Sequence, residues 1–186
     1  MSWPTCEEGY NLRKLTLFAS QVVSDFKTIP PPPGVGPRKI IELAQDYPEI
    51  TLEDLDLASW RHCLIYFLGV PGTWANAKIY FNGDRNESNY YGQVLLANGS
   101  TVTAFGGRGS IGPPPGGDAT QWICQILFSG GRIRMWAQGD NNVPTSPYLG
   151  SFLLVYVPTV ENLTSITFYS GDANKPYKAG TRVEVW

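Results

Sequence analysis

An all-β sandwich is the fold this sequence predicts, and three segments carry the prediction. Gln121-Trp122-Ile123-Cys124-Gln125-Ile126-Leu127-Phe128 puts Trp122, Cys124, Ile126 and Phe128 on alternate positions. Arg132-Ile133-Arg134-Met135-Trp136-Ala137 does the same with Ile133, Met135 and Ala137, and Ala75-Asn76-Ala77-Lys78-Ile79-Tyr80-Phe81-Asn82 with its odd positions. Successive side chains in a strand point to opposite faces, so each segment reads as a strand with one buried face. Many such strands, punctuated by Gly, Pro, Asn and Asp, define a sandwich or barrel.

Taken in order, the chain opens with residues 1–33, read as an extended N-terminal arm. Val22–Phe26 is a short strand at most, and Pro30-Pro31-Pro32-Pro33 enforces a polyproline II spacer. Residues 34–186 then form one domain. A helix is expected first: Pro37 suits a first helical position, Ile40, Leu43, Ala44 and Tyr47 share a face, and Pro48 ends it. A second short turn is signalled by Thr51-Leu52-Glu53-Asp54, with Thr51 as cap. Strands follow at Arg61–Leu68, Ala75–Asn82, Tyr91–Leu96, Thr101–Phe105, Thr120–Phe128, Arg132–Gln138, Ser151–Pro158, Ser165–Ser170 and Arg182–Trp186. Ser129-Gly130-Gly131 is a tight hairpin turn, because adjacent glycines accept the positive φ it requires. Gly106–Gly117 and Gly139–Pro147 read as long surface loops. Numerous strands, long loops and one or two short helices ahead of the sheet suit an eight-stranded antiparallel Greek-key or jelly-roll sandwich.

Composition narrows the function classes. The chain has 186 residues, enough for one well-cored domain, and 42% of them are hydrophobic, which argues against global disorder. Charged residues are only 16%, against about 25% in typical soluble domains, as expected where neighbours cover part of the surface. A net charge of -2 with no basic cluster leaves nothing to neutralise phosphates, so contact with nucleic acid is weak at most. Cys6, Cys63 and Cys124 are scattered; Cys124 shares its strand face with Trp122, so buried reduced thiols and a reducing compartment are expected. No signal peptide is read at the polar N-terminus, and no apolar run nears the ~18 residues that span a bilayer.

Chemistry-bearing constellations are sparse. Gly106, Gly107 and Gly109 flank Arg108, but Pro113-Pro114-Pro115 follows instead of a phosphate-binding lysine and helix, so a loop is expected. His62 is the only histidine, and its neighbour Cys63 faces the opposite way in a strand, so the two make no dyad. Asp84, Glu87, Asp118, Asp140, Glu161, Asp172 and Glu184 sit mostly beside Gly or Asn, where acids stabilise turns. Asp84, Asn86 and Glu87 offer oxygens for calcium, at a spacing that matches no defined loop. Neither a catalytic set, a cofactor site nor a metal site is expected. The sequons at Asn86, Asn98 and Asn162 are read as chance. Trp136 lies on the polar face between Arg134 and Gln138 and is the best exposed contact, with Arg108 and Tyr148 as further interface or ligand candidates.

The order of features over residues 38–186 resembles the jelly-roll coat proteins of picorna-like viruses, of the dicistrovirus and iflavirus type. Arg38-Lys39-Ile40-Ile41-Glu42-Leu43 is similar to their apolar, basic-flanked helix ahead of the sheet. Leu64–Gly69 running through Gly72-Thr73-Trp74 to Lys78-Ile79-Tyr80 is similar to their aromatic strand, bend and basic strand. Arg132 to Tyr148 matches a strand leading into a proline- and tyrosine-bearing loop, and Leu153–Val157 with Ile166–Asp172 match the last two long strands. The resemblance implies a non-enzymatic capsid subunit of the virion, assembled in the host cytoplasm with itself or related chains into an icosahedral shell. Its loops would be where a host receptor binds. The competing reading from a different class is a carbohydrate-binding sandwich using loop aromatics, and a cupin-type enzyme would need more histidines than His62.

Overall fold

The structure is a computed structural model that describes residues 36–69, 77–98, 101–112, 120–141 and 148–186. The chain divides after Val35, and the described residues form the second unit, Gly36–Trp186. The arm, its proline spacer and the Val22–Phe26 strand lie outside the described residues. Eleven strands are described: β1 (Lys39–Glu42), β2 (Glu49–Leu52), β3 (His62–Gly69), β4 (Lys78–Phe81), β5 (Tyr90–Asn98), β6 (Thr101–Arg108), β7 (Thr120–Ser129), β8 (Arg132–Asn141), β9 (Tyr148–Tyr156), β10 (Ile166–Tyr169) and β11 (Arg182–Val185). They form an antiparallel eight-stranded sheet, β1-β11-β3-β7-β8-β9-β5-β6, and a three-stranded sheet, β2-β10-β4. The fold is all-β, as the alternating segments predict.

One hydrophobic core lies between the two sheets. From the large sheet it takes Cys63, Ile65, Phe67, Trp122, Cys124, Ile126, Phe128, Ile133, Met135, Ala137, Phe152 and Leu154. From the small sheet it takes Ile50, Leu52, Ile79, Phe81, Ile166 and Phe168. Aromatic pairs bridge the gap: Phe67 meets Phe168 at 5.4 Å between centroids, and Phe81 meets Tyr156 at 6.0 Å. Such pairs add about 0.5–1.5 kcal/mol each to the burial itself. All four expected inward residues of β7 are buried, with Trp122 1% exposed. The β7–β8 turn has the expected geometry, with φ of 58° at Gly130 and 72° at Gly131.

The first two elements differ from expectation. Residues 37–47 are not helical: Lys39–Glu42 is a strand that pairs with β11, Ile40 opposite Glu184 and Ile41 opposite Val183. The helical-looking face is not a buried stripe, since Ile40 and Tyr47 are both exposed. Thr51 is no helix cap either, because Glu49–Leu52 pairs with β10 and buries Ile50 and Leu52 on one face. A short helix, α1 (Leu57–Trp60), comes later, and the Asp56 carboxylate accepts from the Ser59 N–H at its start. Gly106–Arg108 and Gly139–Asn141, expected in loops, extend β6 and β8. Of the rest of those predicted loops, residues 109–112 are described and lie outside strands, while 113–117 and 142–147 lie outside the described residues.

Candidate interaction surface

Register fixes which side chains of the large sheet turn away from the core. Leu64, Gln125, Trp136, Leu153 and Gln93 are successive partners across β3, β7, β8, β9 and β5. Ile123, Gln138, Ser151 and Leu95 form the neighbouring row, and Leu127, Arg134, Val155 and Tyr91 the row on the other side. None of these residues is in the core, and Leu127, Trp136, Leu95 and Tyr91 are exposed. The outer face is therefore an apolar stripe interleaved with amides, and Arg134 is the one charged residue in these rows.

Trp136 stands on this face 48% exposed, as its parity predicts. Arg108 closes β6 opposite Tyr91, and its side chain is exposed. Three strand spacings separate Trp136 from β6, about 14 Å. Tyr148 opens β9 opposite Asn141 and Asn98, five residues before Trp136's partner Leu153, so it lies about 17 Å away along the strand. Trp136 and Arg108 thus belong to one broad surface, whereas position 148, an odd number of residues from Leu153, has the opposite parity in β9 and is not brought together with them. Sequence reading passed over Tyr91, Leu95 and Leu127. The signal was present in the alternate positions 91, 93 and 95, but only the strand partners reveal which parity faces outward.

At the rim of the large sheet, β6 is exposed along almost its whole length. Phe105 pairs with Val94 and shares its face, yet Val94 is buried and Phe105 is 54% exposed. The core therefore ends at β5. Ile111, from the segment after β6, folds back against Gly92, where an added Cβ would lie 2.8 Å from it.

The acids of the 84–87 turn are locked into the fold. The Asp84 carboxylate accepts from the Asn86 N–H, from Asn89 Nδ2 at 2.7 Å and from the Tyr156 hydroxyl at 2.8 Å. Glu87 accepts from Lys78 Nζ at 2.6 Å, the Tyr80 hydroxyl at 2.8 Å and the Ser110 N–H at 2.6 Å. The Ser110 hydroxyl donates in turn to the Ile79 carbonyl, tying the segment after β6 to β4. Burial pushes both carboxyls up, but these donors outweigh it and hold Asp84 and Glu87 below their ordinary values. Their oxygens are occupied by protein donors, and no group of metal-ligating side chains occurs among the described residues. Burial raises the Cys63 thiol to about 12 and the Cys124 thiol further, so neither is a thiolate near neutrality. Both are free and buried.

A pH dependence follows from the depressed carboxyls. A group whose folded value is lowered stabilises the fold above its unfolded value, and that stability is lost as pH falls through the folded one. Wild-type stability should therefore fall as pH drops below about 4.5. Glu87→Gln should be less stable at pH 7, and the gap should close with acidification. A gap that stays constant in denaturant melts from pH 7 to 3 would show that the charge of Glu87 is immaterial.

Compared with protein-family models, with curated proteins and with solved structures, the chain matches none.

Proposed function

We propose that this chain is a structural subunit that builds a shell, a jelly-roll capsid protein of the picorna-like kind. The observation that carries this reading is the path of the chain between sheets. β2, β3, β4 and β5 alternate between the small and the large sheet, and so do β9, β10 and β11. This alternation, with β10 between β2 and β4 and β11 between β1 and β3, supports a rolled, jelly-roll-like reading of the sandwich. The meander of β7 and β8 inserted between β3 and β9 widens one sheet to eight strands, where a jelly roll of two Greek keys has four and four. The apolar outer stripe and the 16% charge content fit a subunit whose sides meet neighbours. The acids of the 84–87 turn are held ionised and hydrogen-bonded, which suits a scaffold better than a proton donor.

In the shell reading the mechanism is geometric: the sandwich is the rigid body, and its outer face and loops form contacts repeated by symmetry. Electron microscopy of the purified full chain over a range of concentrations, alone and from its natural source, should show closed particles. Homogeneous monomers under every condition would overturn the reading. A carbohydrate-binding role is the second reading, favoured by the exposed Trp136 indole with Gln125 opposite and Gln138 on the next row. A glycan screen in which Trp136→Ala abolishes binding would support it, and in that case particles should not form.

A further inference from the structure

The free edge of β6 ends the eight-stranded sheet, and no described strand pairs with it. The Gly109 N–H donates to the Tyr90 carbonyl. Alternate residues of a strand point their backbone groups to opposite sides, so Thr101, Thr103, Phe105 and Gly107 bond to β5. The N–H and C=O groups of Val102, Ala104, Gly106 and Arg108 therefore point outward. Proteins usually blunt such an edge with lysine, proline, a bulge or a cover. Thr101–Gly107 carries no charge and no proline, and Val102 and Phe105 are 51% and 54% exposed.

We propose that β6 is a dimerisation strand that pairs antiparallel with β6 of a second copy across a two-fold axis. The strand complements itself. A two-fold axis perpendicular to the sheet requires the axis to fall between a residue and its own copy. With Phe105 on the axis, Ala104 meets Gly106 of the other copy and Val102 meets Arg108. All the outward groups are then used, giving about eight backbone hydrogen bonds. Phe105 meets its copy at a position without backbone bonding, where side chains approach most closely and an aromatic pair is most favourable. Thr103 faces Gly107 and Thr101 faces Gly109, so β-branched residues meet glycine. No like charges are brought opposite each other. A foreign acidic or basic peptide would find no charge between Thr101 and Gly107 to recognise, and this favours the second copy. The dimer does not depend on the shell reading, since a soluble two-fold pair satisfies it.

Sedimentation of the full chain should show a monomer–dimer equilibrium. Phe105→Glu, which sets two carboxylates against each other, should raise the dissociation constant about tenfold or more. Ala104→Pro removes an outward N–H while sparing the bonds to β5, and should act likewise. Both variants should keep the wild-type circular dichroism. In a Cys6→Ser background, Phe105→Cys should cross-link into a covalent dimer with oxidised glutathione, because such a pair lies within disulfide reach. Thr103→Cys, facing Gly107, should not. A wild type monomeric at all concentrations overturns the proposal. So does Phe105→Glu associating as the wild type does, or Thr103→Cys cross-linking as readily as Phe105→Cys. Wild-type dimers that build no particles under any condition would overturn the shell reading and leave the β6 dimer standing.

Discussion

Trp122→Ala is expected to cost 3–5 kcal/mol, on the scale of large-to-small changes in a packed core, or to prevent folding outright. Trp122 packs its ring against Phe152 at 5.5 Å between centroids and is 1% exposed. Its indole N–H has no hydrogen-bond partner among the described residues, so the ring stabilises by burial and contact alone. Trp122→Phe should for that reason be milder than Trp122→Ala. Gln125, three residues along on the outer face, should tolerate alanine with little change. Sliding the strand by one residue would instead bury Gln121 and Gln125, leaving amides unpaired at about 1–3 kcal/mol each. Denaturant melts in which Trp122→Ala and Gln125→Ala are equally stable would refute the assigned register.

Gly139→Ala should damage the fold from the opposite direction, by overfilling. Gly139 lies opposite Trp122 in β7 and Gly150 in β9, and these two glycines make the notch that receives the indole. An added Cβ at Gly139 would fall 2.5 Å from Trp122 Cδ2 and against the Gln121 carbonyl, while one at Gly150 would fall 2.7 Å from the far end of the ring. The carbonyl is backbone and cannot turn aside, so a cost on the order of 3 kcal/mol is expected, at the upper end for overpacked cores. Because both changes act on one contact, the double variant Gly139→Ala, Trp122→Ala should lose less than the two single costs added together. Strict additivity in the melts would show that the notch and the ring are not coupled.

The parts of this fold that could be read from sequence are those whose signal is local. β7 and β8 announce themselves through alternation, and the Gly130-Gly131 turn fixes how they join. Trp136 could be placed on the outer face from the parity of Ile133, Met135 and Ala137 alone. The misread segments are those whose structure is decided far away. Ile40, Leu43, Ala44 and Tyr47 stand at helical spacing, but the pairing of Lys39–Glu42 with Arg182–Val185 overrides it, and no window of ten or fifteen residues contains both. Glu49–Leu52 is similar: Thr51 looks like a cap until its hydroxyl is seen 3.1 Å from that of Thr167 in β10. Gly106 and Gly107 suggested a loop because glycine usually marks one, whereas here they continue an edge strand. The candidate surface was legible only at Trp136 and Arg108, because its remaining apolar members depend on which strands lie side by side.

The strand order also dictates a timetable for biosynthesis. Among the described strands, β1 has only β11 as a partner, and β2 and β4 have only β10. As the chain emerges from the ribosome, three of the first four described strands lack their strand partner until about 85 or more further residues have been made. The β7-β8-β9 meander, whose pairings are local, is free to form before β10 arrives. Each sheet holds an empty slot that a late strand must enter between two waiting neighbours, and entropy opposes such distant closures. During that interval Ile50, Leu52, Ile79 and Phe81 sit on strands whose central sheet neighbour has not yet been made. The nascent domain is then a natural client for chaperones, and its yield depends on how quickly β10 and β11 arrive.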